Sequence, residues 1–206
     1  MRIVKAMFLA VVCAIYCCGC HNIVSLKSGS LATLKGSTVV NMEYSYEGIK
    51  VGNKTEEEYI RGRMEKLDKK TTGAGDRWLN AWQNNRVARF QPKFEQLFNK
   101  QLANRNVELN VGNHPEAKYT LLLKTTFIKL SSWNRPGLLS ADAVFFETQN
   151  RENQVAVVTL RKMEGTDPAR SAGLAFGPSL ERSWAIQESY AKAGKELGIR
   201  VANKVK

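Results

Sequence analysis

One spacing in the chain could support nucleophilic catalysis, the Ser-x-x-Lys pattern formed by Ser189 and Lys192. In this pattern a lysine amine can activate a serine hydroxyl for acyl transfer. The match has only two letters, lies in an amphipathic stretch, and is followed by neither Ser-Asp-Asn nor Lys-Thr-Gly. We therefore interpret it as a coincidence of helix composition.

Other catalytic and metal-binding patterns are missing from the sequence. The histidines, His21 and His114, belong to no His-Glu-x-x-His motif, and no Gly-x-Ser-x-Gly nucleophile turn occurs. Gly194 and Lys195 are followed by Glu196 instead of Ser or Thr, so they do not form a phosphate-binding loop. The sequence predicts a protein that is not an enzyme and that uses neither a cofactor nor a metal.

The N-terminal residues carry the chemistry of membrane anchoring. Arg2 and Lys5 precede an apolar run over residues 6–16, which is too short to span a bilayer as a helix. This arrangement is typical of a signal peptide. Gly19 before Cys20 resembles the bacterial lipobox, in which a small residue precedes the cysteine that is diacylated and becomes N-terminal. We predict lipidation at Cys20; a plain secretory signal and a chance apolar start are the alternatives.

The positions of the cysteines favour the same interpretation. All of them lie at or before the expected cut, at Cys13, Cys17, Cys18 and Cys20. The mature domain would then have no disulfide although it lies outside the cytoplasm. No Asp follows Cys20, and in well-studied lipoproteins that residue signals inner-membrane retention. The expected location is therefore the outer membrane, with the domain lipid-anchored and facing the periplasm.

Net charge restricts the class of partner. Removal of residues 1–19 from the 206 leaves 187 and takes away two cations and no acid, so the net charge falls from +12 to +10. This excess favours anionic partners such as phospholipid head groups, acidic glycans or acidic proteins. A pI of 9.7 would suggest nucleic acid for a cytoplasmic chain. The predicted anchor argues against that partner.

Hydrophobic periodicity predicts one domain over residues 37–206, after a tether over residues 20–36. Residues 37–46 alternate in polarity as a half-buried strand does. The residues of its apolar face are Val40, Met42, Tyr44 and Tyr46. The β-forming character of these residues supports the assignment.

Helical signals follow this strand. Thr55 and Glu58 form a capping box at the start of one helix. A second helical stretch runs from Asp76 to about residue 104, and Pro92 either kinks it or starts a new helix there.

Four more strands and a final helix complete the predicted domain. The strands are predicted over residues 107–111, 119–130, 141–148 and 154–162. The helix begins at Ser179 and has one apolar face, formed by Ile186, Tyr190, Ala193, Leu197 and Val201. The predicted class is α/β (α+β), a single mixed sheet of about five strands with helices packed on it, in the order β-α-α-β-β-β-β-α.

Two groups of residues are candidate ligand-binding sites. A basic stripe at helical spacing consists of Arg86, Arg89, Lys93 and Lys100. It is either a solvated helix face or a surface for an acidic glycan or lipid. The loop over residues 131–137 carries Trp133 and Arg135, which could stack on a sugar or peptide or pack back over the sheet.

Two short motifs resemble those of a group of bacterial envelope lipoproteins. They are Ala117-Lys118-Tyr119-Thr120-Leu121 at a strand opening and Ala193-Gly194-Lys195-Glu196-Leu197-Gly198 in the last helix. The group includes the penicillin-binding-protein activators and the curli-secretion lipoprotein. The resemblance implies a non-catalytic accessory factor that docks on an envelope enzyme or assembles into a secretion or adhesion complex.

The sequence therefore predicts a lipid-anchored, non-catalytic accessory or assembly factor that binds an envelope protein or a cell-wall component. The alternative is a carbohydrate-binding or glycan-processing envelope protein that uses the loop over residues 131–137. A purely structural tether to acidic surface polymers is a third possibility.

Overall fold

The computed structural model describes residues 23–132, 135–166 and 180–206, with side chains from residue 183 onward in the last range. The strands are β1 (Ile23–Gly29), β2 (Val39–Ser45), β3 (Lys50–Val51), β4 (Lys54–Thr55), β5 (Asn110–Gly112), β6 (Tyr119–Lys129), β7 (Gly137–Glu147) and β8 (Asn150–Gly165). The helices are α1 (Glu56–Asp68), α2 (Ala74–Asn85), α3 (Gln91–Ala103) and α4 (Leu180–Val205). A 3₁₀ turn spans Leu31–Leu34, and a π-helical turn spans Arg86–Phe90.

The eight strands of the described residues form one sheet in the order β1-β8-β7-β6-β2-β5, with the β3–β4 hairpin attached to β6. Strand β2 runs parallel to β5 and β6, whereas β6, β7, β8 and β1 pair antiparallel in succession. The predicted single mixed sheet with packed helices is confirmed. The prediction of about five strands is wrong, because β1 and the two-residue strands β3 and β4 show too little alternation to be recognised.

Strand β1 lies inside the segment that the sequence predicts to be a tether. It pairs antiparallel with β8 from Ile23 opposite Arg161 to Gly29 opposite Ala156. The 3₁₀ turn after it buries Leu31 and Leu34 in the core. Residues 23–36 are thus part of the folded domain, which corrects the expectation of a tether over 20–36 for this segment. Strand β8 is longer than predicted and provides the edge on which β1 forms.

The helices after β4 begin as their sequences indicate. The Thr55 hydroxyl accepts a hydrogen bond from the Glu58 amide, and the Glu58 carboxylate accepts one from the Thr55 amide, so the predicted capping box is confirmed. The predicted second helical stretch is divided into α2, the π-helical turn and α3. Pro92 lies in the first turn of α3, where its missing amide hydrogen costs no helical hydrogen bond.

Helices α3 and α4 pack together and cover one face of the sheet. The predicted apolar face of the last helix is buried, from Ile186 to Val201. A Cβ on Gly194 would lie 2.2 Å from the Phe94 carbonyl oxygen, and one on Gly198 would lie 2.7 Å from that of Phe98. The two glycines therefore allow the α3 and α4 backbones to approach closely, which is a packing role for the glycines of the Ala193–Gly198 motif.

The opposite face of the sheet carries charged pairs between strands. Arg161 of β8 donates to Asp142 of β7 at 2.7 Å. Arg151 donates to both carboxylate oxygens of Glu43, at 3.0 and 2.7 Å. In the described ranges no helix is both long and apolar enough to cross a bilayer.

Candidate functional site

Arg86 of the predicted basic stripe is part of an internal polar cluster instead of a solvated face. Its guanidinium forms a salt bridge with Glu56 and stacks over the Tyr46 ring, 4.1 Å from the ring centroid. Glu56 is the first residue of α1, and its carboxylate also accepts a 2.7 Å hydrogen bond from Trp82 Nε1 of α2. The cluster therefore fixes α1, α2 and the end of β2 relative to one another.

A tyrosine cluster, formed by Tyr44, Tyr46 and Tyr190, continues this polar network into the core. The single proton of the Tyr44 hydroxyl has two acceptors within reach, a Glu95 carboxylate oxygen at 2.8 Å and the Gln91 carbonyl at 3.2 Å. The Gln91 amide donates to the Tyr46 hydroxyl at 3.4 Å. These bonds join β2 to the first turn of α3, so the cluster positions a helix on the sheet.

Tyr190 connects the same cluster to α4 and β6. It is fully buried, stacks on the Phe90 ring at a centroid distance of 5.4 Å, and hydrogen-bonds the Thr125 hydroxyl at 2.7 Å. Burial raises the pKa of all three tyrosines, and the Glu95 carboxylate raises that of Tyr44 further. The three phenols are therefore neutral at physiological pH and act as hydrogen-bonding groups within the fold.

Raising the pH should weaken the fold through the tyrosine cluster. Because the folded-state pKa values lie above the usual value of about 10, the unfolded chain loses these protons first. The contribution to stability is complete below about pH 10 and declines as pH rises further, by up to roughly 1.4 kcal/mol per pH unit for each tyrosine. Urea unfolding curves recorded on either side of pH 10 measure this slope.

The matched comparison for this pH dependence is the Tyr44→Phe variant. Its stability should decline less steeply above about pH 10, because one of the three linked protons is absent. In the folded protein above about pH 10, the absorbance of ionised tyrosine should also stay below the value expected if every tyrosine of the chain were ionised. If the free energy of unfolding did not depend on pH in this range, the raised pKa values of the three tyrosines would be wrong.

Arg89, the second residue of the predicted stripe, contacts α4. Its Nε donates to Gln187 and its Nη1 to Ser183, both at 3.0 Å. The guanidinium lies 4.4 Å from the centroid of the Trp184 ring, and Trp184 is 42% exposed. Arg89 and Trp184 therefore form a surface pair of an arginine stacked on an indole.

The end of the loop that the sequence singles out approaches the same helix, α4. Gly137 ends that loop, and a Cβ built on it would lie 3.2 Å from Cβ of Ala185, the neighbour of Trp184. Arg135 is exposed, and its backbone exchanges hydrogen bonds with that of Ser132 at 3.0 and 3.2 Å. We define the docking surface as Arg89 and Trp184.

The other predicted site residues are placed differently or lie outside the described residues. Lys93 is half-buried on α3, one turn beyond Arg89, and shares neither the Glu56 cluster nor the contact with Trp184. Trp133 and the lipidation residue Cys20 lie outside the described residues. The structure thus separates Arg86, Arg89 and Lys93, which helical spacing alone places on one stripe.

Ser189 and Lys192 of the Ser-x-x-Lys pattern are also engaged within α4. Ser189 is 1% exposed and donates to the Ala185 carbonyl at 3.0 Å. Lys192 forms a 3.0 Å salt bridge with Glu196 one turn later. In the described part of the chain, no group of three or more His, Cys, Asp or Glu residues is placed to hold a metal ion.

A shallow groove of about 660 Å³ lies between α1 and α2. Its apolar floor includes Ile60, Met64 and Leu79, and its rim carries Arg61 together with acids such as Glu65. With three acidic residues against one arginine, the rim of the groove is net negative.

Comparison with known proteins gives limited information. No family model matches the chain, and no curated protein matches it. Among solved structures the chain aligns with the PelC dodecamer from Paraburkholderia phytofirmans in space group P6, with 11% identity and a TM-score of 0.40, over 90% of this chain and 97% of that chain. A variant of that dodecamer in space group C2 has 14% identity and a TM-score of 0.37, over 87% and 99%. A likeness at this level carries no argument about family, function or assembly.

Sequence reasoning missed Glu56, Trp82 and Trp184 as partners of the basic residues. In the sequence, Glu56 follows the capping residue Thr55 and Trp82 lies in the second helical stretch. These positions predict local structure but no contact between the two residues. Trp184 is 95 positions from Arg89 in the chain, and only folding brings them together.

Proposed function

We propose that the chain is a bacterial envelope lipoprotein, anchored by a diacylated Cys20 to the outer membrane and facing the periplasm. In this proposal it is a non-catalytic accessory or assembly factor that binds an envelope protein or a cell-wall component. The signal-like N-terminus and the expected mature charge of +10 support the compartment and an anionic partner.

The stacking of the half-buried Arg89 on the exposed Trp184 is the observation that carries the binding role. Trp and Arg are enriched among the residues that dominate protein interfaces. Hydrogen bonds from Arg89 to Gln187 and Ser183 hold the guanidinium in place, so less side-chain freedom is lost when a partner binds. The pair is therefore a rigid, partly apolar and cationic anchor point.

The buried polar groups support the same proposal. A salt bridge joins Glu56 to Arg86, and hydrogen bonds join the tyrosine cluster to α3. Together these contacts connect α1, α2, α3 and β2. Such networks fix one arrangement of helices on a sheet. The hydrogen bonds and the salt bridge of these residues therefore position the elements that support the docking surface.

Cross-linking in native membranes with the tagged full-length chain as bait tests the proposal. We expect a captured partner whose yield falls about tenfold in Trp184→Ala, as truncation of an interface tryptophan commonly does. Lys100→Ala is the matched control, because Lys100 is an exposed cation of α3 outside the docking surface, and it should capture the partner normally.

Two results of this experiment would contradict the proposal. Equal capture by wild type and Trp184→Ala would remove the docking surface. A bait whose intact mass equals that of the unprocessed chain would remove the anchor and the compartment.

Carbohydrate binding by the loop over residues 131–137 is the second candidate. It is favoured by the exposure of Arg135 in a loop that the Ser132 backbone holds in a tight turn. Capture of a cell-wall glycan instead of a protein, lost in Trp133→Ala, would support this candidate.

A further inference from the structure

The start of β1 lies close to the residue that the proposed anchor would modify. Three peptide units link Cys20 to Ile23, so whatever their conformation the two Cα atoms are at most about 11 Å apart. If Cys20 carries lipid in the bilayer, Ile23 must therefore lie at or near the head groups. The edge of the sheet that contains β1 is the part of the described fold held nearest to the membrane.

This edge exposes apolar side chains. Ile23 is 49% exposed and Leu26 is 39% exposed, although β1 is paired with β8 along one side. A register shift between Leu26 and Ser28 sets Lys27 in a bulge, and the Lys27 side chain is exposed. Apolar groups beside a lysine suit the boundary between acyl chains and head groups.

Positive charge is concentrated along the same edge. Arg161 pairs in register with Ile23, and the Arg200 guanidinium donates to the Val24 carbonyl at 3.2 Å. Asp142 balances Arg161, whereas residues 20–42 contain no Asp or Glu at all. The local charge complements anionic phospholipid, whose attraction acts within about 8 Å at physiological salt.

We propose that the β1 edge, defined by Ile23, Leu26, Lys27 and Arg200, lies against the anionic phospholipid head groups of the membrane that holds Cys20. This inference rests on the proposed lipid anchor and adds the orientation of the domain. An acyl anchor combined with a basic surface holds a protein more firmly than an acyl anchor alone. The docking surface, which lies at the start of α4, then remains available to a partner.

Depth-dependent quenching of a single fluorophore tests this orientation. The mature lipoprotein would retain only Cys20, whose sulfur carries the lipid, so one introduced cysteine is the sole site for a thiol-reactive label. Ser28→Cys places the label on β1. Lys100→Cys is the control on α3, beside β5 and five strands away from β1, or roughly 24 Å across the sheet.

The labelled full-length proteins, processed in cells, are reconstituted into vesicles of phosphatidylglycerol and phosphatidylethanolamine. We expect a head-group quencher to reduce the Ser28→Cys signal several-fold more than the Lys100→Cys signal. When Lys27→Glu is added to the Ser28→Cys protein, much of the extra quenching should be lost. When Lys100→Glu is added to the same protein, the extra quenching should remain. In neutral phosphatidylcholine vesicles the difference should be smaller.

The intact mass of each sample separates the possible failures. Without a diacyl addition, the proposed anchor itself is wrong. With the addition present, equal quenching at both positions would overturn only the orientation. Absence of quenching at Ser28→Cys together with cross-linked dimers through that position would assign the β1 edge to a second copy of the chain and would likewise overturn the inference.

Discussion

Replacing Gly194 by alanine should lower the free energy of unfolding by about 2–3 kcal/mol, the upper part of the range typical of overpacking a core. The new Cβ would lie 2.2 Å from the Phe94 carbonyl oxygen and 3.0 Å from its carbon. These are backbone atoms of α3, so no side-chain rotation relieves the contact, and the two helices must move apart. Urea unfolding of the purified chain measures the loss.

Gly62→Ala is the matched control for Gly194→Ala. Gly62 lies inside α1, and a Cβ on it would have no neighbour within 4 Å. Because alanine favours a helix more than glycine does, this variant should gain about 0.5–1 kcal/mol. Opposite signs for the two variants are the expected result. If Gly194→Ala were as stable as Gly62→Ala, the close approach of α3 and α4 would be wrong.

The second large effect is expected from Glu56→Gln. The side chains of Glu56 and Arg86 are only 12% and 20% exposed, so removing one charge leaves the other poorly solvated. We expect a loss of about 2–4 kcal/mol, near the lower end of values for a broken buried pair. Glutamine keeps an oxygen that can accept from Trp82 Nε1, so the variant isolates the effect of the charge.

Glu43→Gln provides the comparison for this variant. It removes the carboxylate of the Arg151 pair, in which the arginine side chain is 60% exposed, and should cost less than about 1 kcal/mol. The double variant Glu56→Leu with Arg86→Met should recover part of the loss, since two apolar groups leave no unpaired charge. Similar losses for Glu56→Gln and Glu43→Gln would show that the Glu56 pair is effectively solvated.

Alternation and capping were sufficient to predict local structure. The apolar face from Val40 to Tyr46 and the Thr55 capping box are properties of neighbouring residues, and they place β2 and the start of α1 correctly. Strand β1 was not predicted, because its side chains are mostly exposed and its existence depends on the edge of β8. Local polarity contains no information about that edge.

The candidate site was predictable only in part. The sequence indicates that Arg86 and Arg89 belong to one helical region, but the π-helical turn and the two packed layers direct them to different partners. Arg86 contacts Glu56 and Tyr46, whereas Arg89 contacts Trp184. These contacts join residues distant in the chain, so periodicity within one segment does not reveal them.

The pairing of β1 with β8 has a consequence for the order of folding. Ser25 and Thr159, which hydrogen-bond each other, are 134 residues apart in the chain, and Val24 and Arg200 are 176 apart. Although β1 precedes every other strand of the described sheet in the chain, it can pair only after β8 has been synthesised. Contacts of such long sequence separation form slowly. Until they form, the unpaired edge of β8 is an open template for pairing with another chain.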